Sequence, residues 1–291
     1  MKSILLLYLF IVSIVAKPNE APNEMQDADA AWLSNTIYDG VFDMDTPYGS
    51  IFHWKEKVYA IWQQKYTGEC YVVIRGTKSP RDYLTDITVG EYVDNEIGVK
   101  VHYGVKQRTD EIFNHIGDQL KICNGDIIIT GHSLGGAVAH YLFLKYVKKH
   151  YYDWGLKNKA CNFKAVMFGA PQLVSETTNK FLKQQENYIN YYKYENDLGP
   201  ELIRTVRRSW ILEKSLSVLS WINIDLFKVP NSVYQTICKV SYGDYIPGNK
   251  YHLLKNGQKK SYPEYKLLEN LSLSDHVSFY LTVNALTKNV W

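Results

Sequence analysis

The chain has 291 residues, of which 46% are hydrophobic, so it is long enough to bury a full core and one large domain is expected. A formal net charge of +3 is too mild to indicate a nucleic-acid partner, and the Lys and Arg residues form no long runs. The 24 tyrosines and 7 tryptophans suit surfaces that contact sugars, lipids or partners, and they equally suit an ordinary core.

The first 16 residues form a segment of their own. Lys2 precedes an apolar run over residues 4–16, which is too short for a comfortable membrane span. Ala16 is a small residue at which a signal peptidase could cut, and a polar stretch follows it. We therefore predict a signal peptide over residues 1–16 and a secreted domain over residues 17–291, in preference to an uncleaved anchor.

The predicted elements of the first half are short strands followed by a regular alternation of helices and strands. A helix is expected over 29–38, and three strands over 51–54, 58–63 and 70–74. Residues 83–97 show no strong periodicity. The pattern then predicts a helix at 105–120, a strand at 126–130, a helix at 137–144, a strand at 163–168, a helix at 177–185 and a strand at 188–194. This alternation predicts an α/β fold with a mostly parallel central sheet flanked by helices.

The last third of the chain is less regular. Residues 207–229 carry an apolar helical face with two tryptophans, which suits either an interfacial helix facing lipid or a helix packed on the core. Strands at 235–242 and 251–254 are expected to form a hairpin, and a terminal helix is expected to begin near Ser274. Asn270 begins a glycosylation sequon.

Four cysteines are too few for a disulfide scaffold, so bridges in a secreted chain would reinforce an existing core. Cys123 and Cys161 each precede an apparent parallel strand, and they would meet at the amino edge of the sheet if those strands are neighbours. We therefore expect the pairs Cys123–Cys161 and Cys70–Cys238, which is one of three possible connectivities. Buried free thiols are the alternative.

The segment at 126–137 carries the strongest functional signal. Gly131-His132-Ser133-Leu134-Gly135 fits G-x-S-x-G between a buried strand and a helix, which is the context of a nucleophile elbow. Such a turn strains the serine backbone and requires residues without Cβ on both sides. We predict that Ser133 is a nucleophile with an exposed hydroxyl, and that the backbone N–H of Leu134 faces a developing oxyanion. A plain Gly-rich turn is the alternative.

A serine nucleophile needs a base within hydrogen-bond reach and an acid behind that base. In the chain order nucleophile, acid, base, Asp197 is the preferred acid because it follows a predicted strand in a loop, and Asp225 and Asp244 are weaker candidates. His276 is the preferred base because it follows a loop that leads into a helix, and His252, inside a short strand, is the alternative.

The sequence also offers a second oxyanion donor, and it assigns roles to the other histidines. Thr77 follows the strand at 70–74 and offers a backbone N–H and a hydroxyl as the second oxyanion donor. His132 is expected to pack beside the nucleophile, and His102 and His140 are expected to be structural. The sequence shows no cluster of His, Cys, Asp and Glu with metal-ligand spacing, so no metal is expected.

Taken together in chain order, these motifs resemble the class 3 (fungal-type) lipase family of α/β-hydrolases over roughly residues 60–285. The matching segments are Arg75-Gly76-Thr77-Lys78-Ser79 with Tyr83-Leu84-Thr85-Asp86-Ile87, Val101-His102-Tyr103-Gly104, residues 128–137, Phe168-Gly169-Ala170-Pro171, Asn196-Asp197-Leu198-Gly199-Pro200, and Asp275-His276. The resemblance implies a lid at about Ser79–Gly98 and ester hydrolysis through an acyl-enzyme without a cofactor. The implied roles are nucleophile for Ser133, acid for Asp197, base for His276, and oxyanion hole for Thr77 and Leu134.

The expected function is therefore that of a secreted serine esterase acting on lipid carboxylic esters, either triacylglycerol or phospholipid. Such an enzyme would contact a membrane or lipid-droplet surface transiently and would bind no nucleic acid. One alternative is a non-lipid carboxylesterase of the feruloyl type, which the many tyrosines and the modestly apolar lid region favour. The other alternative is a catalytically silent lipid-binding protein.

Overall fold

A computed structural model of the chain describes residues 21–39, 49–55, 58–77, 90–153, 162–194, 197, 245–253 and 259–261. Several predicted features therefore lie outside the described residues. These are the signal peptide, most of the predicted lid, the segment at 207–229, the strand at 235–242, the terminal helix, Cys161, Cys238, Asn270, Asp225, Asp244 and His276.

The described strands are β1 (Gly49–Lys55), β2 (Tyr59–Gln64), β3 (Cys70–Ile74), β4 (Glu91–Asp94), β5 (Val99–His102), β6 (Ile127–His132), β7 (Phe163–Phe168), β8 (Ile189–Tyr194), β9 (Asn249–Leu253) and β10 (Lys259–Ser261). The described helices are α1 (Glu24–Asp39), α2 (Tyr103–Ile116), α3 (Leu134–Asp153) and α4 (Lys180–Gln185), with 3-10 turns at Gln119–Ile122 and Glu186–Tyr188. Among the described residues, no helix is long and apolar enough to cross a membrane.

A sheet of eight strands, in the order β1-β2-β3-β6-β7-β8-β9-β10, forms the centre of the molecule. The five strands from β3 to β9 run parallel to one another, while β1, β2 and β10 are added antiparallel at the two sides. This arrangement confirms the predicted α/β fold with a mostly parallel sheet. Because parallel strands point the same way, their carboxyl ends share one edge of the sheet.

Helices cover both faces of this sheet, which explains why its central strands are apolar on both sides. One face packs against α2 and α3 in a large cluster that includes Ile129, Val138 and Leu142. The other face packs against α1, where Leu33 and Ile37 meet Trp62. The first helix, predicted at 29–38 and found at Glu24–Asp39, is therefore an integral layer of the fold.

Buried polar contacts fix α1 to the amino half of the sheet. Asp27 accepts hydrogen bonds from the Asn190 amide at 2.9 Å and from the Tyr192 hydroxyl, and Asp29 accepts one from Tyr71 at 3.1 Å. Further along the helix, the Ser34 hydroxyl lies 3.0 Å from the Thr130 hydroxyl on β6. These contacts set both the rotation and the height of α1 relative to β6.

A buried ion pair lies beside the same polar contacts. Lys164 Nζ is 2.7 Å from Asp126 Oδ2, and the two side chains are only 6% and 12% exposed. Lys164 lowers the pKa of the Asp126 carboxyl, although burial acts against this shift. The pair joins the beginning of β6 to β7 on the side away from the carboxyl edge.

A two-stranded hairpin of β4 and β5 stands apart from the main sheet, in the region where the sequence shows no periodicity. Its strand β4 has no buried face that would give an alternating pattern. The turn is made instead by Asp94, whose Oδ1 accepts the backbone N–H groups of Glu96 and Ile97 at 3.0 Å, and by Gly98 at φ +74°. This Asp-to-Gly turn was the signal available in the sequence.

The predicted hairpin between 235–242 and 251–254 is wrong. Strand β9 pairs in parallel with β8 on one side and antiparallel with β10 on the other, so both of its edges are occupied. The sequence prediction failed because turn residues both precede and follow β9, so a hairpin could form with either neighbouring segment. The pairing of strands in the sheet decides between the two.

The predicted disulfide pairing is also wrong, because Cys70 is bonded to Cys123 with their Cα atoms 5.8 Å apart. Strand β6 has two parallel neighbours, β3 and β7, and the segment before β6 turns towards β3. Backbone bonds from Cys70 N to Asp126 O and from Gly125 N to Gly68 O, both 2.9 Å, hold that segment in place.

Candidate active site

Ser133 occupies the turn between β6 and α3 with a left-handed backbone, at φ +56°. Among the described residues it is the only non-glycine with a positive φ. The Ser133 N–H donates to the Phe168 carbonyl on β7 at 2.9 Å, and the Ser133 carbonyl accepts from the Gly136 N–H at 2.9 Å. A serine with a strained backbone that is held by hydrogen bonds on both sides is typical of a nucleophile elbow.

The glycines of the elbow (residues 131–135) allow a close approach that no larger residue permits. A Cβ at Gly131 would lie 2.5 Å from the Gly135 carbonyl carbon, and a Cβ at Gly135 would lie 2.2 Å from the Ile74 carbonyl oxygen. In both cases the added Cβ would collide with backbone atoms, which cannot move away by rotation as a side chain can. The beginning of α3 is therefore pressed against the end of β3, as the spacing of the motif predicts.

The loop at residues 75–77, called the oxyanion loop after the role predicted for it, follows β3 and runs beside Ser133 at Gly76. A Cβ at Gly76 would lie 3.3 Å from the Ser133 Cβ, so this part of the loop is in contact with the elbow. The Arg75 N–H donates to Val58 O at 3.0 Å, and Arg108 on α2 donates to the Arg75 carbonyl at 2.6 Å. These bonds hold the loop from both sides, and Thr77 is the residue that follows Gly76 in it.

Ser133 is more buried than the sequence suggested, since the residue is only 5% exposed. The prediction of an exposed hydroxyl considered the strand and the helix alone. The structure adds the oxyanion loop, whose Gly76 packs on the Ser133 Cβ. Leu134, the first residue of α3, is 6% exposed, so its backbone N–H also lies beneath the surface.

Tyr38, at the end of α1, is a site neighbour that the sequence did not reveal. Its hydroxyl oxygen lies 3.2 Å from Nδ1 of His132, and the two rings meet edge-on with centroids 5.9 Å apart. Burial raises the pKa of this hydroxyl above its ordinary value, so the group stays protonated and can donate. The sequence places Tyr38 and His132 94 residues apart, and no local pattern links them.

Asp197 lies just beyond β8 and is 3% exposed. Its backbone N–H donates to the Tyr194 carbonyl at 2.9 Å, so the residue is held at the carboxyl end of β8. Strand β7 separates β8 from β6, so the ends of the strands that lead to Asp197 and Ser133 are two strand spacings apart, roughly 10 Å. The structure thus brings Asp197 to the same edge as Ser133. His276, the predicted base, lies outside the described residues.

The other histidines have different surroundings. His132 ends β6 and packs on Tyr38 beside the nucleophile, as predicted. His102 and His140 are buried, at 1% and 4% exposure, and His140 Nε2 lies 3.7 Å from Glu186. His252 sits within β9, opposite Lys193 on β8. In the part of the chain that the structure describes, no group of three or more His, Cys, Asp or Glu residues could hold a metal ion.

This architecture is shared with solved lipase structures. A triacylglycerol lipase whose catalytic centre is formed by a serine protease triad superposes with a TM-score of 0.56 at 15% identity, over 88% of this chain and 95% of that chain. A deletion mutant of the Rhizomucor miehei lipase propeptide complex gives a TM-score of 0.56 at 18% identity, over 89% and 78%. The triacylglyceride lipase of Rhizomucor miehei gives 0.52 at 15%, over 86% and 90%. These likenesses define the fold as an α/β-hydrolase fold.

The sequence comparison adds the family. Residues 71–206, a stretch that includes Thr77, Ser133 and Asp197, match the model of the family described as lipase (class 3). No curated protein sequence matches the chain significantly. Against the native propeptide complex of Rhizomucor miehei lipase, the chain spans 61% of that chain's length.

Proposed function

We propose that this protein is a serine esterase that hydrolyses lipid carboxylic esters through an acyl-enzyme. The observation that carries the proposal is the strained backbone of Ser133, at φ +56°, at the turn between a central parallel strand and a helix. In an elbow of this kind the serine oxygen attacks the ester carbonyl, the alcohol leaves, and water then hydrolyses the acyl-serine.

In the proposed site, His276 takes the proton of Ser133 and Asp197 orients the imidazole. The burial of Asp197 just beyond β8, a strand whose end lies roughly 10 Å from that of β6, supports this role because it is compatible with an imidazole between the two residues. The backbone N–H groups of Thr77 and Leu134 would stabilise the oxyanion. Loss of one such donor typically slows the reaction by about 10²–10³.

A lipid surface is the proposed substrate environment. Three large apolar residues of the β4–β5 hairpin and the start of α2 are exposed, Tyr92 at 38%, Val93 at 50% and Tyr103 at 47%. The Lys106 ammonium lies 4.5 Å from the centre of the Tyr92 ring, so the group combines apolar area with positive charge. Secretion through the predicted signal peptide would give the enzyme access to such substrates.

Substitution of Ser133 by alanine tests the proposed activity. We expect Ser133→Ala to abolish turnover of a short-chain nitrophenyl ester while its thermal unfolding stays cooperative. Ser175→Ala is the matched control, because the Ser175 hydroxyl bonds the Lys100 N–H on β5 rather than lying at the elbow. Turnover by Ser133→Ala equal to that of the control would refute the assignment.

A substrate panel tests the lipid assignment. Rates on tributyrin emulsion, a soluble aryl ester and phosphatidylcholine vesicles are compared at equal concentrations of active enzyme. The proposal expects a clear preference for one of the two lipid substrates. Hydrolysis of the aryl ester alone would favour the non-lipid carboxylesterase. A protein that hydrolyses none of the substrates and is not labelled by a fluorophosphonate, which reacts with active serines, would favour the lipid-binding protein.

A further inference from the structure

The hydroxyl of Tyr38 lies where the elbow and the oxyanion loop come together. Its oxygen is 3.2 Å from Nδ1 of His132 and 3.4 Å from the His132 carbonyl oxygen, to which it can donate. The residue directly before Ser133 is therefore contacted through both its ring and its backbone. Ser34, one turn earlier on α1, contacts β6 at Thr130, two residues before His132.

The same hydroxyl also contacts the oxyanion loop. A Cβ at Gly76 would lie only 2.3 Å from the Tyr38 hydroxyl oxygen and 2.7 Å from the His132 carbonyl oxygen. The Gly76 backbone hydrogen-bonds this hydroxyl, and this bond and the charges of Arg108 and Arg75 lower its pKa, against the larger effect of burial. The glycine at position 76 is thus required for the loop, the tyrosine and the elbow to approach one another.

The position of Tyr38 is set from a distance by the contacts that hold α1. The helix is fixed at Asp27 by Asn190 and at Asp29 by Tyr71, about two to three turns before Tyr38. Because the helix is fixed, the tyrosine hydroxyl is a preorganised contact and does not have to be ordered when substrate binds.

We propose that Tyr38 is a positioning residue for ester hydrolysis, which fixes the oxyanion loop relative to the elbow through Gly76 and His132. The inference rests on the proposed function, in which Ser133 and the N–H of Thr77 act on one substrate carbonyl. Oxyanion donors act only when they lie about 2.7–3.1 Å from the developing charge. A small separation of the loop from the elbow therefore reduces the stabilisation of the transition state more than it reduces the binding of the substrate.

The variant Tyr38→Phe tests this role, because it keeps the ring and removes only the hydroxyl. We expect kcat to fall about fivefold, the effect of losing roughly one hydrogen bond, while KM changes less than twofold. Tyr245→Phe is the matched control. It removes a hydroxyl that does not hold α1 but donates to Glu186, in the 3-10 turn before β8 and thus at the amino end of the sheet.

Counting active sites with a fluorophosphonate probe distinguishes a lower rate per active site from a smaller amount of folded protein. A lower kcat per labelled site in Tyr38→Phe, with kcat per site unchanged in Tyr245→Phe, is the expected result. An equal fall in both variants would mean that the loss of a tyrosine hydroxyl far from the elbow slows the enzyme just as much, and no fall in either would mean that the Tyr38 hydroxyl has no role in positioning. Both results would overturn the inference.

Two further measurements keep the test decisive. Should Tyr38→Phe fail to fold, His132→Asn removes the imidazole from the other side of the contact, and the same split between kcat and KM is expected. Failure of the proposed function would look different, since the unmodified enzyme would then show neither turnover nor labelling. Normal labelling with an unchanged kcat in Tyr38→Phe would refute the positioning role alone.

Discussion

Addition of one methyl group at Gly135 is expected to separate the elbow from the oxyanion loop. In Gly135→Ala the new Cβ would lie 2.2 Å from the Ile74 carbonyl oxygen and 2.9 Å from both the Arg75 carbonyl carbon and the Gly76 nitrogen. Ordinary contacts of a Cβ begin near 3.4 Å, so α3 and the end of β3 must move apart by about 1.2 Å. Displacements of about 1 Å in a catalytic site can slow a reaction roughly 10²-fold.

The control for this prediction is Gly136→Ala, which adds the same methyl group one residue later. There the new Cβ would lie 2.7 Å from the Ala170 Cβ and 3.0 Å from the Gly131 carbonyl oxygen, so its nearest neighbours do not belong to the oxyanion loop. Both variants are expected to lose about 1–3 kcal/mol of stability through overpacking. Only Gly135→Ala is expected to lose about 10²-fold in kcat on a nitrophenyl ester, per site labelled by fluorophosphonate. Equal kcat per labelled site in the two variants would refute the reasoning.

Three further predictions concern stability. Burial raises the pKa of Asp29 from 3.8 to about 6, so the folded state holds a proton that the unfolded state has lost between pH 4 and 6. The free energy of unfolding should therefore fall by about 2–3 kcal/mol as pH rises through this window. In Asp29→Asn, the free energy of unfolding measured with urea should depend less on pH over this range. The same pH dependence in the variant and the unmodified protein would contradict this prediction. Replacing Cys70 and Cys123 with serine opens a link across 53 residues and should cost about 2–5 kcal/mol, whereas an unchanged Tm would show that the bond does not form. Lys164→Met leaves a buried carboxylate unpaired and should cost about 3 kcal/mol in urea unfolding, against less than about 0.5 kcal/mol for Lys183→Met at an exposed pair; equal losses would count against it.

The elbow and the parallel sheet could be predicted because their causes are local. A buried apolar run followed by two glycines around a serine has few structural solutions, and the structure confirms a left-handed Ser133 between β6 and α3. The position of Asp197 at the carboxyl edge also followed from chain order, because it comes directly after a predicted strand. In these cases the geometry of the backbone leaves little choice.

Other features could not be predicted because they depend on which distant elements become neighbours. The disulfide failed in this way, since β6 lies between β3 and β7 and a cysteine before it could reach either side. The contact of Tyr38 with His132 depends on how α1 docks on the back of the sheet, which buried Asp27 and Asp29 decide. A helical pattern with acids in it does not show whether those acids face solvent or a buried amide.

The measurement that tests the proposed cooperation of nucleophile and base most directly is a double-mutant cycle on Ser133 and His276. Rates on a nitrophenyl ester are compared for Ser133→Ala, His276→Ala and the double variant, each with its unfolding curve. If the two residues act as one unit, the double variant should be no slower than the slower single variant. A double variant slowed by the product of the two separate effects would show independent contributions and would contradict the proposed serine–histidine pair.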